Sequence, residues 1–371
     1  MSLALLYDGY TGSVERGGRR RIMRSKHVTV RQVAREAGVS VATVSHYLNG
    51  RYSEMSAATR ERVQATIERL GYRPNELARS LARRRTATIG LIISSLTNSL
   101  YPLVILGAEA ACRRAEYSLL LADAPDVESE RRAVDLMRRK QVDGLILFSI
   151  SLIGIANEHL FRAQAEGTPV VVINRDLPAE APISQIQFDN FRGAYLATKH
   201  LIELGHRRIA HITHPLNRFT AISRRAGYTA ALAEAGLEHD PSLVVSGDYS
   251  FESGYEATRS LLERQPSAVF VGSDAMAAGA LRALRDTGRE VPRDLSLVAF
   301  GNPDYIRYST PALTTVDLPI AEAGAIAVEL LLERIGEPEA PAQTRVLQPK
   351  LLIRETTAPP QPRRKEVGEQ P

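Results

Sequence analysis

The stretch VTVRQVAREAGVSVATVSHYLNG, Val28–Gly50, contains two short amphipathic segments separated by a glycine. Thr29 can cap a first helix, and Gln32 three residues later completes a capping box. Gly38 lies where this helix must end, because the residue after a helix end commonly adopts a left-handed conformation that suits glycine. Ser40 can then cap a second helix. The pattern predicts two short helices that cross at a steep angle, a helix-turn-helix.

The second helix has an exposed face of small polar side chains instead of lysines and glutamates. These side chains are Ser40, Thr43, Ser45, His46 and Asn49. Small hydroxyl groups let a helix approach phosphates closely, and His46 can hydrogen-bond a base edge. The plainer alternatives are a helical hairpin with a glycine turn and, for His46, a solvated surface histidine. The composition of the face favours a helix that lies in the major groove of DNA.

The charge is distributed unevenly along the chain. Residues 1–85 contain 17 Arg and Lys against 7 Asp and Glu, a net charge of +10, whereas the whole chain carries +5. The remaining residues therefore carry −5. A basic N-terminal part favours a polyanionic partner, although a basic tail can also serve solubility alone.

The composition is that of an ordinary globular protein. The 371 residues suggest two or three domains, and 44% apolar with 24% charged residues argue against overall disorder. Cys112 is the single cysteine, so no disulfide framework or thiolate cluster is expected. The first residues lack the features of a signal peptide, and no apolar run reaches the roughly 18 residues that span a bilayer. These features predict a cytoplasmic protein, whose translation can start at Met1 or at Met23.

From Ala87 onward, short β-branched runs alternate with amphipathic helices. Ten strands are predicted, namely ATIGLIISS, YSLLLADA, DGLILFSI, PVVVINR, ISQIQFD, RRIAHIT, SLVVSGD, SAVFVGS, LSLVAFG and LTTVDL. Helices predicted between them include Tyr101–Glu116, Val127–Lys140, Gly193–Leu204 and Asp274–Asp286. Continuous apolar strands separated by helices indicate parallel sheets covered on both faces. Because ten strands exceed what one such sheet usually carries, we expect an α/β body of two lobes.

The sequence divides into five segments. We predict a flexible basic arm over residues 1–27, a helix-turn-helix domain over 28–73, a hinge helix and linker over 74–85, the two-lobed body over 86–357 and a disordered tail over 358–371. In the hinge, Asn75 can cap a helix of only about eight residues, too short to be stable alone. This helix therefore needs partners.

No catalytic or metal centre is predicted. His200, His206, His211 and His214 cluster in sequence, but no carboxylate or cysteine accompanies them at ligand spacing. No phosphate-binding Walker loop is present. Neither Ser273 nor Cys112 has a paired base in a recognisable nucleophile motif. We therefore expect neither an enzyme nor a bound cofactor.

Residues 28–50, followed by SAATRERVQATIERLGYRPNELARSLARRRTATIGLI, resemble the DNA-binding head and hinge of the LacI/GalR family of bacterial repressors. The likeness continues through VDGLILF, PVVVINRD, FDNFRGAYLATKHLIELGHRRIAHI, RRAGYTAAL, GSDAMAAGALRAL, VPRDLSLVAFGN and PALTTVDLPIAEAGAIAVELLL, as far as about residue 357. The resemblance implies an all-α helix-turn-helix head and a two-lobed body with parallel sheets like that of periplasmic binding proteins. It also implies a homodimeric, sequence-specific repressor of double-stranded operator DNA of near-palindromic sequence, modulated by a small polar effector such as a sugar or sugar derivative.

By position, the resemblance implies base contacts for Val41, Ala42 and His46, with Thr43, Ser45 and Asn49 nearer the DNA backbone. It further implies that two hinge helices pair over the minor groove, where Leu81 matches a leucine inserted between base steps. Arg79, Arg83, Arg84 and Arg85 fit phosphate contacts, although a basic interdomain linker would also explain them. The full predicted DNA-binding set is Thr29, Ser40, Val41, Ala42, Thr43, Ser45, His46, Asn49, Asn75, Ala78, Arg79 and Leu81. The family often has arginine at the position of His46, which leaves the operator sequence open.

Parallel sheets bind ligands outside the carboxyl ends of their strands. Those ends carry Asn98, Asp123, Asn174, Arg175, Phe188, Tyr249, Ser273, Asp274 and Asn302. The resemblance implies that Arg224 is the effector-binding arginine, that Phe188 and Tyr249 stack on a ring, and that Asn174 is a polar anchor. We expect Asp274 to cap the following helix rather than to touch ligand. The predicted effector-binding set is Asn98, Asn174, Phe188, Arg224, Tyr249, Ser273 and Asn302.

The sequence departs from the family pattern at Gly301, where FGN stands in place of the usual FDD. A sugar held by that carboxylate would lose an acceptor, so the ligand can instead be acidic, phosphorylated or otherwise different. Two other classes of protein stay open. A transport-type sugar-binding protein is opposed by the basic head and the missing signal peptide, and an enzyme on this scaffold lacks a nucleophile or metal constellation. The effector, the operator and regulated genes, the sign of the response and dimer versus tetramer also stay open.

Overall fold

A computed structural model of the chain describes residues 28–72, 85–148, 153–154, 157–178 and 180–361. The chain divides into two units at residue 82, and each is described by itself. Much of the predicted arm, hinge and tail lies outside the described residues. The segment boundaries given above therefore stay predictions.

Residues 28–72 of the small unit contain three helices, α1 Val30–Ala37, α2 Val41–Leu48 and α3 Ala57–Leu70, with a 3-10 turn at Tyr52–Glu54. The hydroxyl of Thr29 accepts a hydrogen bond from the backbone N–H of Gln32 at 3.3 Å, which caps α1. Gly38 ends α1 with φ 64°, and Ser40 caps α2 by accepting from the N–H of Thr43 at 3.0 Å. The predicted helix-turn-helix is confirmed.

A small apolar core holds these three helices together. Val33, Val44 and Val63, one from each helix, are fully buried and pack with Ala34 and Ala37. Complete burial of a valine side chain stabilises a fold by roughly 1.5–3 kcal/mol. The inward side of α2 therefore supplies packing through Val44, with Tyr47 and Leu48 partly buried against the same core, and the polar side chains of α2 are left for the surface.

The body contains two six-stranded sheets. The first sheet has the order β11-β5-β4-β3-β1-β2 and is parallel throughout. Its strands are β1 Thr88–Ile93, β2 Ser118–Asp123, β3 Gly144–Phe148, β4 Val170–Ile173, β5 Ser184–Phe188 and β11 Thr344–Leu347. The helices of this lobe are α4 Tyr101–Arg114, α5 Val127–Arg139, α6 Glu158–Ala165 and α12 Ile320–Gly336.

The second sheet has the order β12-β10-β9-β8-β6-β7, with only β12 antiparallel to its neighbour. Its strands are β6 Ile209–Thr213, β7 Val244–Ser246, β8 Ala268–Val271, β9 Ser296–Phe300, β10 Thr314–Asp317 and β12 Lys350–Leu352. Its helices are α7 Asn190–Glu203, α8 Phe219–Glu234, α9 Phe251–Leu262, α10 Asp274–Asp286 and the short α11 Asp304–Arg307, with a 3-10 turn at Pro241–Leu243. The predicted α/β body with two lobes of parallel sheet is confirmed.

The chain passes between the two lobes three times, after β5, after β10 and between β11 and β12. The inner strands of both sheets are buried almost without interruption, as in β3, where all five residues are buried. Strands covered on both faces read as apolar runs, which is why the inner strands were predictable. The edge strands β2 and β7 are partly exposed, but the runs LLL and VV made them predictable as well. The two strands that were not predicted, β11 and β12, are partly exposed edge strands of four and three residues.

Candidate functional site

The outer surface of α2 is open to solvent. Val41 is 43% exposed, and Ser40, Ala42 and Asn49 are also exposed. Thr43, Ser45 and His46 are half-buried. The predicted small polar face is therefore at the surface of the head, where a duplex can reach it.

The hydroxyl and amide groups of this face are held by bonds within the helix. The hydroxyls of Ser40 and Thr43 lie 2.9 Å apart, and the amide Nδ2 of Asn49 donates to the carbonyl oxygen of Ser45 at 2.8 Å. These local bonds restrict the side chains. A helix whose polar groups are already ordered loses less rotamer entropy when it meets a phosphate ridge.

His46 is held by a residue that the sequence analysis did not select. Its Nδ1 lies 2.8 Å from Oε2 of Glu54, in the turn after α2, and its side chain is 35% exposed. The partner on Nδ1 fixes the orientation of the ring, so Nε2 is the atom that remains for an outside group. His46 is thus an oriented side chain and not a fully solvated histidine.

The four predicted hinge contacts, Asn75, Ala78, Arg79 and Leu81, lie outside the described residues and stay predictions, as do Arg83 and Arg84. Arg85 is described, and its Nη2 donates to the backbone carbonyl oxygen of Ile335 at 2.7 Å. This bond attaches the start of the body to the end of α12.

The body contains a cavity of about 600 Å³ at the carboxyl ends of the strands of both sheets. Residues after β1, β3, β4 and β5 line one side, and residues after β7 and β8 with the start of α8 line the other. The lining residues include Ser94, Ser95, Thr97, Asn98, Ser99, Leu100, Tyr101, Phe148, Asn174, Phe188, Arg218, Thr220, Arg224, Asp248, Tyr249, Ser273 and Asp274. This volume and position are those of a small-molecule site in a two-lobed α/β protein.

Six of the seven predicted effector residues line the cavity, namely Asn98, Asn174, Phe188, Arg224, Tyr249 and Ser273. Asn302 is not among the lining residues, because its carboxamide oxygen accepts from Nη2 of Arg354 at 2.7 Å and its side chain is occupied there. Arg175, another strand-end candidate, is buried and donates through Nη1 to Oε2 of Glu130 at 2.9 Å. A strand end places a residue near the cleft but does not decide which way its side chain turns.

A chain of hydrogen bonds joins Arg224 to Asn174 through Asn190. Nε of Arg224 donates to Oδ1 of Asn190 at 2.9 Å, and Nδ2 of Asn190 donates to Oδ1 of Asn174 at 3.1 Å. Nη1 of Arg224 donates to the carbonyl oxygen of Gly272 at 2.6 Å. Burial lowers the pKa of Arg224 to about 10, so the side chain stays charged at neutral pH. Nη2 is the guanidinium nitrogen left without a hydrogen bond to any described residue.

Aromatic rings form the apolar side of the cavity. The rings of Tyr101 and Phe148 meet edge to face with centroids 4.9 Å apart, and those of Phe148 and Phe188 lie 6.2 Å apart. Burial raises the pKa of the Tyr101 hydroxyl to about 12, so this group stays protonated. Flat apolar surfaces beside amide and guanidinium donors suit a ligand with one apolar ring face and polar edges.

Tyr249 lies on the other side of the cavity with an unusual backbone conformation. Its φ is 76°, in the left-handed region that favours glycine. Its ring stacks on the imidazole of His214 with centroids 3.6 Å apart, and the guanidinium carbon of Arg218 lies 5.2 Å from the ring centroid. His214 is fully buried, and neither ring nitrogen has a hydrogen-bond partner.

The expectation that Asp274 caps α10 is wrong. Ser273 is the cap, because its hydroxyl accepts from the N–H of Met276 at 3.3 Å. Asp274 lines the cavity instead, and its Oδ2 accepts from the hydroxyl of Tyr305 at 2.8 Å and from that of Ser99. A Cβ placed on Gly301 would lie 3.1 Å from Oδ1 of Asp274. The cavity therefore has a carboxylate next to the position where the sequence departs from the family.

Residues 29–75 match the model of bacterial regulatory proteins of the lacI family, and residues 198–357 match the periplasmic binding protein-like domain. The chain is 37% identical over 329 residues to the ribose operon repressor of Escherichia coli (strain K12), which covers 88% of this chain and 98% of that protein. The chain belongs to the lacI family of bacterial regulatory proteins. This lacI-family chain is also 35% identical over 338 residues to catabolite control protein A of Priestia megaterium, with 89% and 99% of the two chains covered.

Solved structures of other lacI-family proteins share the fold over about nine tenths of this chain. The lac repressor dimer bound to operator and the anti-inducer ONPF has a TM-score of 0.79 at 29% identity, covering 90% of this chain and 100% of that one. The complex of the transcriptional regulator CelR with cellobiose has a TM-score of 0.68 at 35% identity, with 89% and 99% covered. As a lacI-family member, this chain is a DNA-binding transcriptional regulator with an effector-binding body.

The described part of this lacI-family protein has neither a metal-ligand cluster nor a membrane-spanning helix. Among those residues, no group of three or more His, Cys, Asp or Glu side chains is arranged to hold a metal ion. In the same ranges, no helix is both long and apolar enough for a membrane span.

Proposed function

We propose that this protein is a homodimeric transcriptional repressor that binds a near-palindromic operator and whose DNA affinity changes when a small polar effector, a sugar or sugar derivative, binds the body. The observation that carries the proposal is the exposed small polar face of α2 in a chain that also has a ligand-sized cavity lined by Arg224. A DNA-binding protein that no ligand regulates would not need the cavity.

On the DNA side, α2 enters the major groove. Val41 and Ala42 contact base edges through apolar groups, and Nε2 of His46 supplies one hydrogen bond, with Glu54 holding the ring. Ser40, Thr43, Ser45 and Asn49 contact phosphates, and Thr29 caps the helix that supports α2. The hinge segment 74–85 orders over the minor groove, where Leu81 separates two base steps.

On the effector side, the ligand lies between the two lobes. Arg224 donates to it through Nη2, while Asn190 and Asn174 keep the guanidinium in place. Phe188 and Tyr249 contact its apolar faces, and Asn98 and Ser273 supply further polar groups from opposite sides of the cavity.

The effector acts by a population shift between lobe arrangements. The cavity is lined from both lobes, and the hydroxyl of Ser99 in the first lobe donates to Asp274 in the second. A ligand that contacts both sides binds more tightly to the lobe arrangement in which both sides reach it. The ratio of its affinities for the two arrangements sets how far it shifts the equilibrium between them. The change in lobe arrangement is transmitted through the dimer to the paired hinges.

The same proposal covers location and chemistry. Bacterial operator DNA is cytoplasmic, and so is a repressor that binds it. The body binds its ligand and releases it unchanged, so we assign it no enzymatic activity.

A gel-shift titration of the full chain against its own upstream region tests the proposal. We expect a discrete complex that resists non-specific competitor DNA, and whose affinity falls steeply as salt is raised, because phosphate contacts release counterions. Leu81→Ala should weaken specific binding far more than non-specific binding. A complex that competitor DNA removes as readily as operator DNA would contradict the repressor assignment, and equal losses in both modes would contradict the role of Leu81.

A further inference from the structure

We propose that the effector carries a negatively charged group, a carboxylate or a phosphate, and that this group binds between Arg218 and Arg224 beside Tyr249. The inference rests on the proposed function, because it takes the cavity as the effector site. It adds the chemical class of the ligand, which the family assignment does not supply.

Arg218 is a cation at the edge of the cavity that forms no salt bridge with a described carboxylate. It lies just before α8, is half-buried and lines the cavity. Its guanidinium carbon is 5.2 Å from the centroid of Tyr249, and no described residue accepts a hydrogen bond from its side chain. A guanidinium presents five donors in a planar fork that matches carboxylate and phosphate oxygens.

Arg224 adds a second guanidinium that no carboxylate contacts. Its two bonds go to neutral oxygens, those of the Asn190 amide and the Gly272 backbone. Its side chain is 7% exposed and lies over the ring of Phe300 at 3.8 Å. A buried charge is stable only when it is compensated, and here the direct contacts are dipoles and a ring face, with the carboxylate of Asp274 acting from farther away. An anion in the cavity would complete the compensation.

The two acidic groups of the cavity lining are partly engaged. Oδ1 of Asp248, at the exposed rim, accepts from the backbone N–H and the hydroxyl of Ser250. Oδ2 of Asp274 accepts from two hydroxyls, which leaves Oδ1 for one donor of a ligand. Gly301 supplies no third carboxylate.

Three nitrogen groups of the cavity are free to donate to a ligand. They are the guanidinium of Arg218, Nη2 of Arg224 and the amide Nδ2 of Asn174, and none of these has an acceptor among the described residues. Each hydroxyl of a neutral polyol can accept from such groups, but it also brings a donor that needs an acceptor of its own and has no charge to pair with a guanidinium. A carboxylate or phosphate brings acceptors alone and forms charge-assisted bonds to both arginines.

The side chain behind Tyr249 is a neutral imidazole. His214, whose ring lies against Tyr249, is fully buried, and neither of its nitrogens bonds to a described residue. Burial lowers the pKa of His214 well below 6.5, and the charges of Arg224, His211 and Arg218 lower it further. The charged groups near Tyr249 are thus the guanidinium groups of Arg218 and Arg224, and an anion is the ligand group that they favour.

Small anions test the site without knowledge of the effector. We would melt the full chain in increasing inorganic phosphate and, separately, in malonate, each against chloride at equal ionic strength, and compare it with Arg218→Gln. Salt effects on the whole surface are common to both proteins and cancel in the comparison. With saturation, the melting temperature of the original protein should rise about 3 °C more than that of Arg218→Gln in at least one of the two anions.

Arg259→Gln is the matched control, because Arg259 also lies over a tyrosine, Tyr255, at 5.9 Å but on the exposed surface of α9. This variant should keep the full anion response. An equal response of the original protein and Arg218→Gln in both anions would overturn the inference. A response in phosphate alone identifies a phosphate-bearing effector, and one in malonate alone a carboxylate.

Matched ligand pairs then measure the preference directly by calorimetry. The pairs are gluconate and glucitol, glucose 6-phosphate and glucose, and ribose 5-phosphate and ribose. The charged member of a binding pair should bind at least about tenfold more tightly, and Arg218→Gln should reduce this ratio to about twofold. A neutral member that binds as tightly as its charged partner overturns the anion site, yet leaves the proposed repressor intact if that sugar changes operator binding. Loss of the repressor assignment itself would appear in the gel shift.

Discussion

Asn190 has a position in the molecule that its sequence context does not reveal. It follows the cap of α7, so the motif FDNF indicates only the start of a helix. In the structure its amide connects Arg224 with Asn174 and is 2% exposed. The sequence indicated the two outer members of this chain but not the residue that joins them, because the contact is formed by elements far apart along the chain.

Replacement of Asn190 with alanine tests this role. Asn190→Ala removes an acceptor from the charged Arg224, a type of bond worth about 1.5–3 kcal/mol, so effector affinity should fall roughly tenfold to a hundredfold. Operator affinity without effector should stay unchanged. Calorimetry with the effector found by the paired titrations gives the first value, and gel shift gives the second.

Asn302→Ala is the matched control, since Asn302 also follows a strand but bonds to Arg354 outside the cavity lining. It should keep effector affinity within about twofold, whatever it does to the melting temperature. If both asparagine variants lose affinity to the same extent, a general loss of body stability explains the result and the role of Asn190 is wrong.

Ser273 and Asp274 show a second limit at the scale of single residues. Both serine and aspartate cap helices well, so neighbouring residues of these types leave two registers for the helix start. The structure begins α10 at Asp274 and thereby directs its carboxylate to Ser99 and Tyr305. The residue at which α10 begins therefore decides whether the Asp274 carboxylate caps the helix or lines the cavity.

Among the elements, the turn between α1 and α2 depends on one backbone angle. Gly38 has φ 64°, and a Cβ at this position would meet no atom within 4 Å. Glycine is therefore required by the left-handed backbone conformation and not by a lack of space for a side chain. Gly38→Ala should destabilise the head by roughly 1–2 kcal/mol, the cost of a left-handed residue with a side chain.

Hydrogen exchange of amides in α1 and α2 of the full chain measures this effect, which should appear as opening about tenfold faster in the head alone. Gly336→Ala is the control, because Gly336 ends α12 without a positive φ and also has no atom near its added Cβ. Exchange unchanged in Gly38→Ala would mean that the turn does not need the left-handed angle.

The predictability of an element followed its apolar pattern. Helices α4, α5 and α10 were predicted to within two residues at each end, and α7 to within three, because apolar periodicity and end signals coincide there. Strands β11 and β12 have no continuous apolar run, since their outward residues face solvent at sheet edges. They are defined by pairing with β5 and β10, which a local pattern does not contain.

At the scale of the whole molecule, buried histidines make stability depend on pH. Burial lowers the pKa of His200, His206 and His214, and that of His211 to about 4. An unfolded imidazole titrates near 6.5, so the folded state binds fewer protons below that pH. The stability that comes from keeping these imidazoles buried and neutral is fully present above pH 6.5. It is lost as the pH falls toward the pKa values of the folded state.

We expect the free energy of unfolding to fall by roughly 2 kcal/mol or more between pH 6.5 and 5. Denaturant titrations at half-unit steps of pH check this. His211→Phe should make the free energy of unfolding depend less steeply on pH, because it removes one of the titrating rings. A phenyl ring keeps the stack with Phe270 and Tyr228. Stability that is constant across this range in the original protein would contradict the burial of these imidazoles.

The three passages of the chain between the lobes have a consequence for biosynthesis. Helix α12 and strands β11 and β12 come last, and both sheets receive an edge strand from residues 344–352. A ribosome has therefore made the complete DNA-reading head long before either lobe can be finished. A polypeptide that stops before residue 344 would have an intact head on two lobes with open sheet edges, so the ability to respond to a metabolite is acquired only after residues 344–352 have been made.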